Sequence, residues 1–232
     1  STKGMAKRVE RIDEPDRIPE YVSRAFHVAM SGRPGPVVLG LPEDMLSAMA
    51  AAIDAKPAQV AAPAPTAADL AQLQTMLNGA ERPLMIVGGP GWSAAVQKQV
   101  EAFADRHNLP VASAFRYQDY FDNRHRCYAG VAGIGIDAKL QAAIQASDLL
   151  IVVGARMGEM TTGGYTLLDI PNPKMPFVHV HPSSDELGTV YRADLPIAST
   201  AAGFGAALDG LKITAKPGWK AWTADLKAAS TA

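Results

Sequence analysis

The sequence predicts an α/β protein built on a parallel sheet, with a piece of another domain ahead of it. Three observations carry this. From residue 66 onward, short apolar runs alternate with amphipathic segments of helical length, the pattern of right-handed strand–helix–strand crossovers. Glycine turns follow two of those runs, at Gly88-Gly89-Pro90-Gly91 and at Gly154. Residues 54–68 are rich in Ala and Pro and poor in large apolar side chains, so they read as an exposed linker.

Ahead of that linker, residues 21–30 place Val22, Ala25, Phe26, Ala29 and Met30 on one helical face, with Pro19 near the start and Gly32 as the stop. The run at 37–41 is continuously apolar, as for a strand covered on both faces. Beyond the linker, Thr66 is a candidate N-cap for a helix to Asn78, residues 84–87 form a strand, and Ser93 caps a helix to about His107. A short strand at 111–113 precedes a long connection at 114–135, of a length that is often functional. A helix at 137–146 leads into 149–153, the strongest buried strand. Then come a strand at 177–180, a short helix at 183–189, a strand at 195–198 and a helix at 201–211. Trp219 and Trp222 stand at helical spacing in a tail read as a marginal helix or an exit linker. The expected organisation is 1–53, linker 54–68, central domain 69–213 and tail 214–232.

Composition narrows the function. Of 232 residues, 48% are hydrophobic and 19% charged, and the net charge of −1 gives no reason to expect nucleic acid or an anionic membrane as partner. One cysteine, Cys127, excludes an internal disulfide and fits a reducing, cytoplasmic compartment. No apolar run approaches the roughly 20 residues of a membrane span. The opening Ser-Thr-Lys-Gly reads as a boundary made by truncation or proteolysis.

Four constellations can carry chemistry. Gly88-Gly89-Pro90-Gly91 joins a strand to a helix, where close backbone approach and free N–H groups suit a phosphate; a tight turn without ligand fits equally well. Gly130-Val131-Ala132-Gly133-Ile134-Gly135 can admit a flat or phosphorylated ligand or be a flexible loop. Gly154-Ala155-Arg156 ends a strand, the place where open parallel sheets bind ligands, and Arg156 can grip a phosphate or form a surface ion pair. His179 and His181 share a strand face, but without a third ligand nearby a metal site is the weaker reading. Cys127, with His125 two residues away in a loop, reads as inert. Gly-x-Ser-x-Gly, Gly-x-x-x-x-Gly-Lys-Ser/Thr and His-Glu-x-x-His do not occur.

Several runs in this order resemble the thiamine-diphosphate-dependent enzymes, most closely the acetolactate-synthase-like group. Lys7-Arg8-Val9-Glu10-Arg11-Ile12, Ile18-Pro19-Glu20, Ala25-Phe26, Ser31-Gly32-Arg33-Pro34-Gly35-Pro36-Val37 and Leu41-Pro42-Glu43-Asp44 resemble the end of their pyrimidine-binding domain. Arg82-Pro83, Val87-Gly88-Gly89, Leu109-Pro110-Val111-Ala112, Ser147-Asp148-Leu149-Leu150 and Gly154-Ala155-Arg156 resemble their central domain. The resemblance implies a doubly wound, Rossmann-like central sheet in a three-domain chain, acting on 2-oxo acids such as pyruvate as a homo-dimer or homo-tetramer. It implies FAD, ADP or no ligand in the central domain, bordered by Arg33, Gly88, Gly89, Gly130, Gly133 and Arg156. Thiamine diphosphate and Mg²⁺ would be held elsewhere, since neither Gly-Asp-Gly nor Asn-Asn occurs, and no catalytic residue is assigned here. Against the family pattern, Val131-Ala132 stands where a histidine is usual, His179 and His181 where acids are usual, and Met157-Gly158-Glu159 where an aromatic and acidic stretch is usual. The chain alone is expected to be inactive, with the 37–41 strand docked on the central domain, paired with another copy or poorly ordered. The alternatives are a stand-alone dinucleotide-binding module, like the FAD domains of electron-transfer flavoproteins, or an architectural oligomerisation module.

Overall fold

A computed structural model describes residues 4–51, 53–214 and 216–230. The chain forms two compact units that meet in sequence at Ala62 and Pro63.

In the first unit, β1 (Arg8–Arg11) pairs in parallel with β2 (Val37–Gly40), Arg8 opposite Val37 and Arg11 opposite Gly40. Helix α1 (Ile18–Met30) connects them, and the short α2 (Glu43–Ser47) follows. Lys7 Nζ donates to the carbonyls of Ser31 at 2.5 Å and Arg33 at 3.1 Å, which ties the exit of α1 to the start of β1. The strand expected to be covered on both faces is not: its residues alternate between half-buried and exposed, and Val38 is 37% exposed. One of its edges is paired by β1. β1 escaped notice because a single apolar residue, Val9, sits among Arg8, Glu10 and Arg11.

The second unit holds a six-stranded sheet in the order β5-β4-β3-β6-β7-β8, parallel throughout. Its elements are α3 (Ala67–Gly79), β3 (Pro83–Val87), α4 (Ala94–His107), β4 (Val111–Ala114), β5 (Tyr128–Ala132), α5 (Ala138–Ala146), β6 (Leu149–Val153), β7 (Phe177–His181), β8 (Leu195–Ala198), α6 (Ala201–Leu208) and α7 (Pro217–Ser230). β3 and β6 lie side by side, and the chain winds outward from them in opposite directions. The sheet is therefore doubly wound, with its switch point at the carboxyl ends of β3 and β6.

Alternation along the strands builds two cores. Met85, Val87, Ile151, Val153, Val178, Val180 and Ile197 face one way, against Leu73 of α3, Val100 and Phe103 of α4 and Phe204 of α6. Leu84, Ile86, Leu150, Val152 and Phe177 face the other way, against Leu140 and Ile144 of α5 and Leu167, Leu168 and Met175 of the β6–β7 connection. Each fully buried Leu, Ile or Val contributes about 1.5–3 kcal/mol, and covering both faces explains the continuous apolar runs. The expected caps are in place. Thr66 Oγ1 accepts from Asp69 N while Asp69 Oδ2 accepts from Thr66 N, a reciprocal pair stabilising α3 by about 1 kcal/mol.

Three readings need correction. The connection at 114–135 contains β5, an edge strand missed because Gly130 interrupts small residues. Residues 183–189 form turns, with Glu186 N donating to Ser183 O and Thr189 N to Glu186 O, rather than a helix. The tail is neither marginal nor a linker. In α7, Trp219 is 1% exposed and its indole donates to Ala80 O at 3.0 Å, while Trp222 donates to Pro83 O at 2.9 Å. Trp219, Trp222 and Leu226 form one stripe at helical spacing, and Ser230 Oγ donates to Tyr128 O on β5 at 3.3 Å.

Candidate functional site

The switch point is built from two turns. Gly88 N donates to Val153 O at 3.0 Å, continuing the β3–β6 ladder, and Gly154 N donates to Val180 O at 2.8 Å. Gly89 (φ +76°) and Gly154 (φ +77°) are both left-handed, and their backbones touch. A Cβ on Gly89 would lie 1.7 Å from Gly154 O, and one on Gly154 would lie 2.4 Å from Gly88 O. The position of a Gly88 Cβ is enclosed by Ala114 Cβ at 2.8 Å, Ala155 Cβ at 3.0 Å and Tyr117 Cδ2 at 3.1 Å. Only Gly91, exposed at φ +83°, faces open space among these loop glycines, with no atom within 4 Å of its Cβ position.

Trp92 packs against both turns. Its indole N–H donates to Gly88 O at 2.8 Å and lies 3.3 Å from the Cβ position of Gly154. Its ring stacks on Tyr120, centroids 5.0 Å apart, and Tyr120 leans on Tyr117 at 5.1 Å. Ser93 Oγ accepts from Val96 N at 3.4 Å, so the cap of α4 is its own.

The remaining residues separate. Arg156, with its side chain 55% exposed, pairs through Nε with Glu186 Oε1 at 3.2 Å, and Glu186 is only 13% exposed. Beside this pair, Arg156, His179, Glu186 and Tyr191 line a cavity of about 10 Å³, near the minimum for one water. His179 Nε2 donates to Ala155 O at 2.9 Å. Burial lowers its pKa, and His181 adds to this, while the Ala155 carbonyl and Glu186 pull the other way. His181 Nδ1 accepts from Ser183 N at 3.1 Å. Among the described residues no group of three or more His, Cys, Asp or Glu is placed to hold a metal ion.

Gly130 is not in a loop. It sits in β5 at φ +114°, opposite Ala112 beside a register shift, with Leu140 Cδ2 3.3 Å from its Cβ position. Gly133 is buried, and Phe115 Cβ lies 2.8 Å from where its Cβ would be. Arg33 belongs to the first unit, on the turn held by Lys7. Gly88, Gly89 and Arg156 thus gather at the switch point, and Gly133 follows the end of β5. The sequence reading missed Trp92, Tyr117, Tyr120 and Glu186. The available signals were an aromatic residue directly after a glycine turn and a Tyr pair at i, i+3. Cys127 is buried, its Sγ donates to Ala104 O at 3.4 Å, and burial pushes its thiol up to about 11, which makes it a poor nucleophile.

A family profile described as thiamine pyrophosphate enzyme, central domain, matches residues 70–211. The chain is 28% identical to the acetolactate synthase large subunit of Corynebacterium glutamicum over 206 residues, 86% of this chain and 32% of that protein. It is 30% identical to the large subunit from Parasynechococcus marenigrum, over 80% of this chain and 31% of that one. It is 31% identical to the isozyme 1 large subunit of Escherichia coli, over 78% and 32%. The chain thus spans about a third of the length of these curated relatives. The profile covers more than half of the chain and coincides with the doubly wound sheet, so this chain belongs to the thiamine-diphosphate-dependent enzymes and carries their central domain.

Proposed function

We propose that the chain is part of a thiamine-diphosphate-dependent enzyme that makes or breaks a carbon–carbon bond next to the carbonyl of a 2-oxo acid. Pyruvate is the representative substrate and acetolactate formation the best single reaction, a transferase or lyase chemistry. One observation carries this reading. The similarity to an acetolactate synthase large subunit extends over 86% of the chain, more than the second unit can supply, so it reaches into the first. A stand-alone nucleotide-binding module would leave that part unexplained.

Thiamine diphosphate, when bound, supplies an electron sink for the carbanion next to the carbonyl. The residues of this chain do not fit the task of holding it. Gly-Asp-Gly and Asn-Asn are missing from the sequence, and no metal-ligand cluster is present among the described residues. No catalytic step is therefore assigned to any of its side chains. On the same resemblance, the whole enzyme is a homo-dimer or homo-tetramer working in the cytoplasm.

The test is expression of the full reading frame beside the 232-residue chain, with thiamine diphosphate, Mg²⁺ and pyruvate supplied to both. Consumption of pyruvate by the longer protein alone is the expected result. No turnover of pyruvate or any other 2-oxo acid by the longer protein would refute the reading, and turnover by the 232-residue chain would refute the division of labour.

A further inference from the structure

Flavin or adenine dinucleotides at a doubly wound switch point need two things. The glycine turn must leave its backbone open to the pyrophosphate, and the crevice beyond it must accept a flat ring. Here the first two glycines of the turn are packed against the protein, and only Gly91 stands open. Gly88 and Gly89 are buried; the Gly154 carbonyl lies against the Cβ direction of Gly89, and Ala114, Ala155 and Tyr117 enclose that of Gly88. Their lack of side chains is required by contacts within the protein.

We infer that Trp92, Tyr120 and Tyr117 form an aromatic cap that closes the switch point, and that this central domain takes neither FAD nor ADP there. Trp92 spans both turns through its bond to Gly88 O and its contact with Gly154. Tyr120 bridges Trp92 to Tyr117, and Tyr117 closes over Gly88. The segment that delivers the two tyrosines is itself anchored: Tyr117 N donates to Ala114 O at 3.0 Å, Tyr120 N to Tyr117 O at 3.1 Å, and Asp122 N to the Glu101 carboxylate of α4 at 2.9 Å. Arg156, beside the turn, is paired through Nε with Glu186. Gly133, the other candidate for a flat ligand, is filled by Phe115. The inference rests on packing within the second unit and is independent of the reaction assigned above.

Two measurements test it, one with ligand and one without. FAD and ADP are each titrated calorimetrically into the purified chain and into the full-reading-frame protein at up to about 1 mM, enough to register any complex tighter than millimolar. The expected result is no binding by either, and no flavin carried through purification. Separately, exchange of the three indole N–H groups is followed by NMR, with Trp92→Phe identifying the Trp92 signal by its loss. The Trp92 indole is expected to exchange at least tenfold more slowly than in the unfolded chain. Saturable FAD or ADP binding by either protein, or exchange of Trp92 at the unfolded rate, would overturn the inference. Loss of pyruvate turnover in the full-length protein would leave it standing, which separates its failure from that of the proposed function.

Discussion

Replacing Gly89 with Ala offers the sharpest test of the switch-point geometry. The new methyl would sit 1.7 Å from Gly154 O, a backbone atom that cannot rotate away. Forcing room in a close-packed site costs about 1–3 kcal/mol. Holding an L-residue at φ +76° adds about 1–2 kcal/mol, so the whole penalty is about 2–5 kcal/mol. Gly91→Ala is the matched control. Its φ of +83° imposes the same backbone term, but no atom lies within 4 Å of the new methyl, so about 1–2 kcal/mol is expected. Urea unfolding followed by the fluorescence of the buried Trp219 compares the two variants with the parent. If Gly89→Ala and Gly91→Ala lose the same stability to within about 0.5 kcal/mol, the two turns are not in contact and the closed crevice is wrong.

Trp219→Ala is expected to lose about 3–5 kcal/mol in urea unfolding followed by far-UV circular dichroism, because it empties a buried site and leaves Ala80 O without its indole donor; a loss near zero would mean that α7 is not part of the core. Burial depresses the pKa of His107 and His179 below the ordinary 6.5, with Arg106 adding to the effect on His107. The unfolded chain then binds more protons in the window below 6.5, so stability falls as the pH drops through it and is level well above it. Urea midpoints at several pH values should show this slope, and His107→Gln should reduce it; an unchanged slope would show that His107 titrates normally. Cys127, with its thiol raised to about 11, should resist a disulfide reagent at neutral pH until the chain unfolds, and prompt reaction of the folded protein would contradict its burial.

The central sheet was legible because its physics is local. Leu149, Leu150, Ile151, Val152 and Val153 are buried on both faces, and such a strand shows as an unbroken apolar run. Thr66 and Ser93 announce their helices because a cap is a matter of three residues. Elements whose stability comes from distant partners were harder to see. β5 is short and broken by Gly130, and it gains its place from Ala112 and Leu140. α7 shows two tryptophans at helical spacing, but what fixes them is a pair of carbonyls 139 residues upstream. At the site, Gly88, Gly89, Gly154 and Arg156 stood out as residue types in a suggestive place. That the glycines pack on one another and on Trp92, and that Arg156 is paired with Glu186, depends on turns brought together by the parallel ladder.

The docking of α7 also bears on how the chain is made. The carbonyl of Tyr128 on β5 is met by Ser230, 102 residues later. At about 5–20 residues per second of synthesis, that strand waits about 5–20 s on the ribosome with its outer edge bare. Ala80 and the start of β3 at Pro83 wait still longer for their indoles. A nascent chain that pauses or is cut before Trp219 therefore exposes an unpaired parallel edge, and protecting that edge falls to whatever binds the emerging polypeptide first.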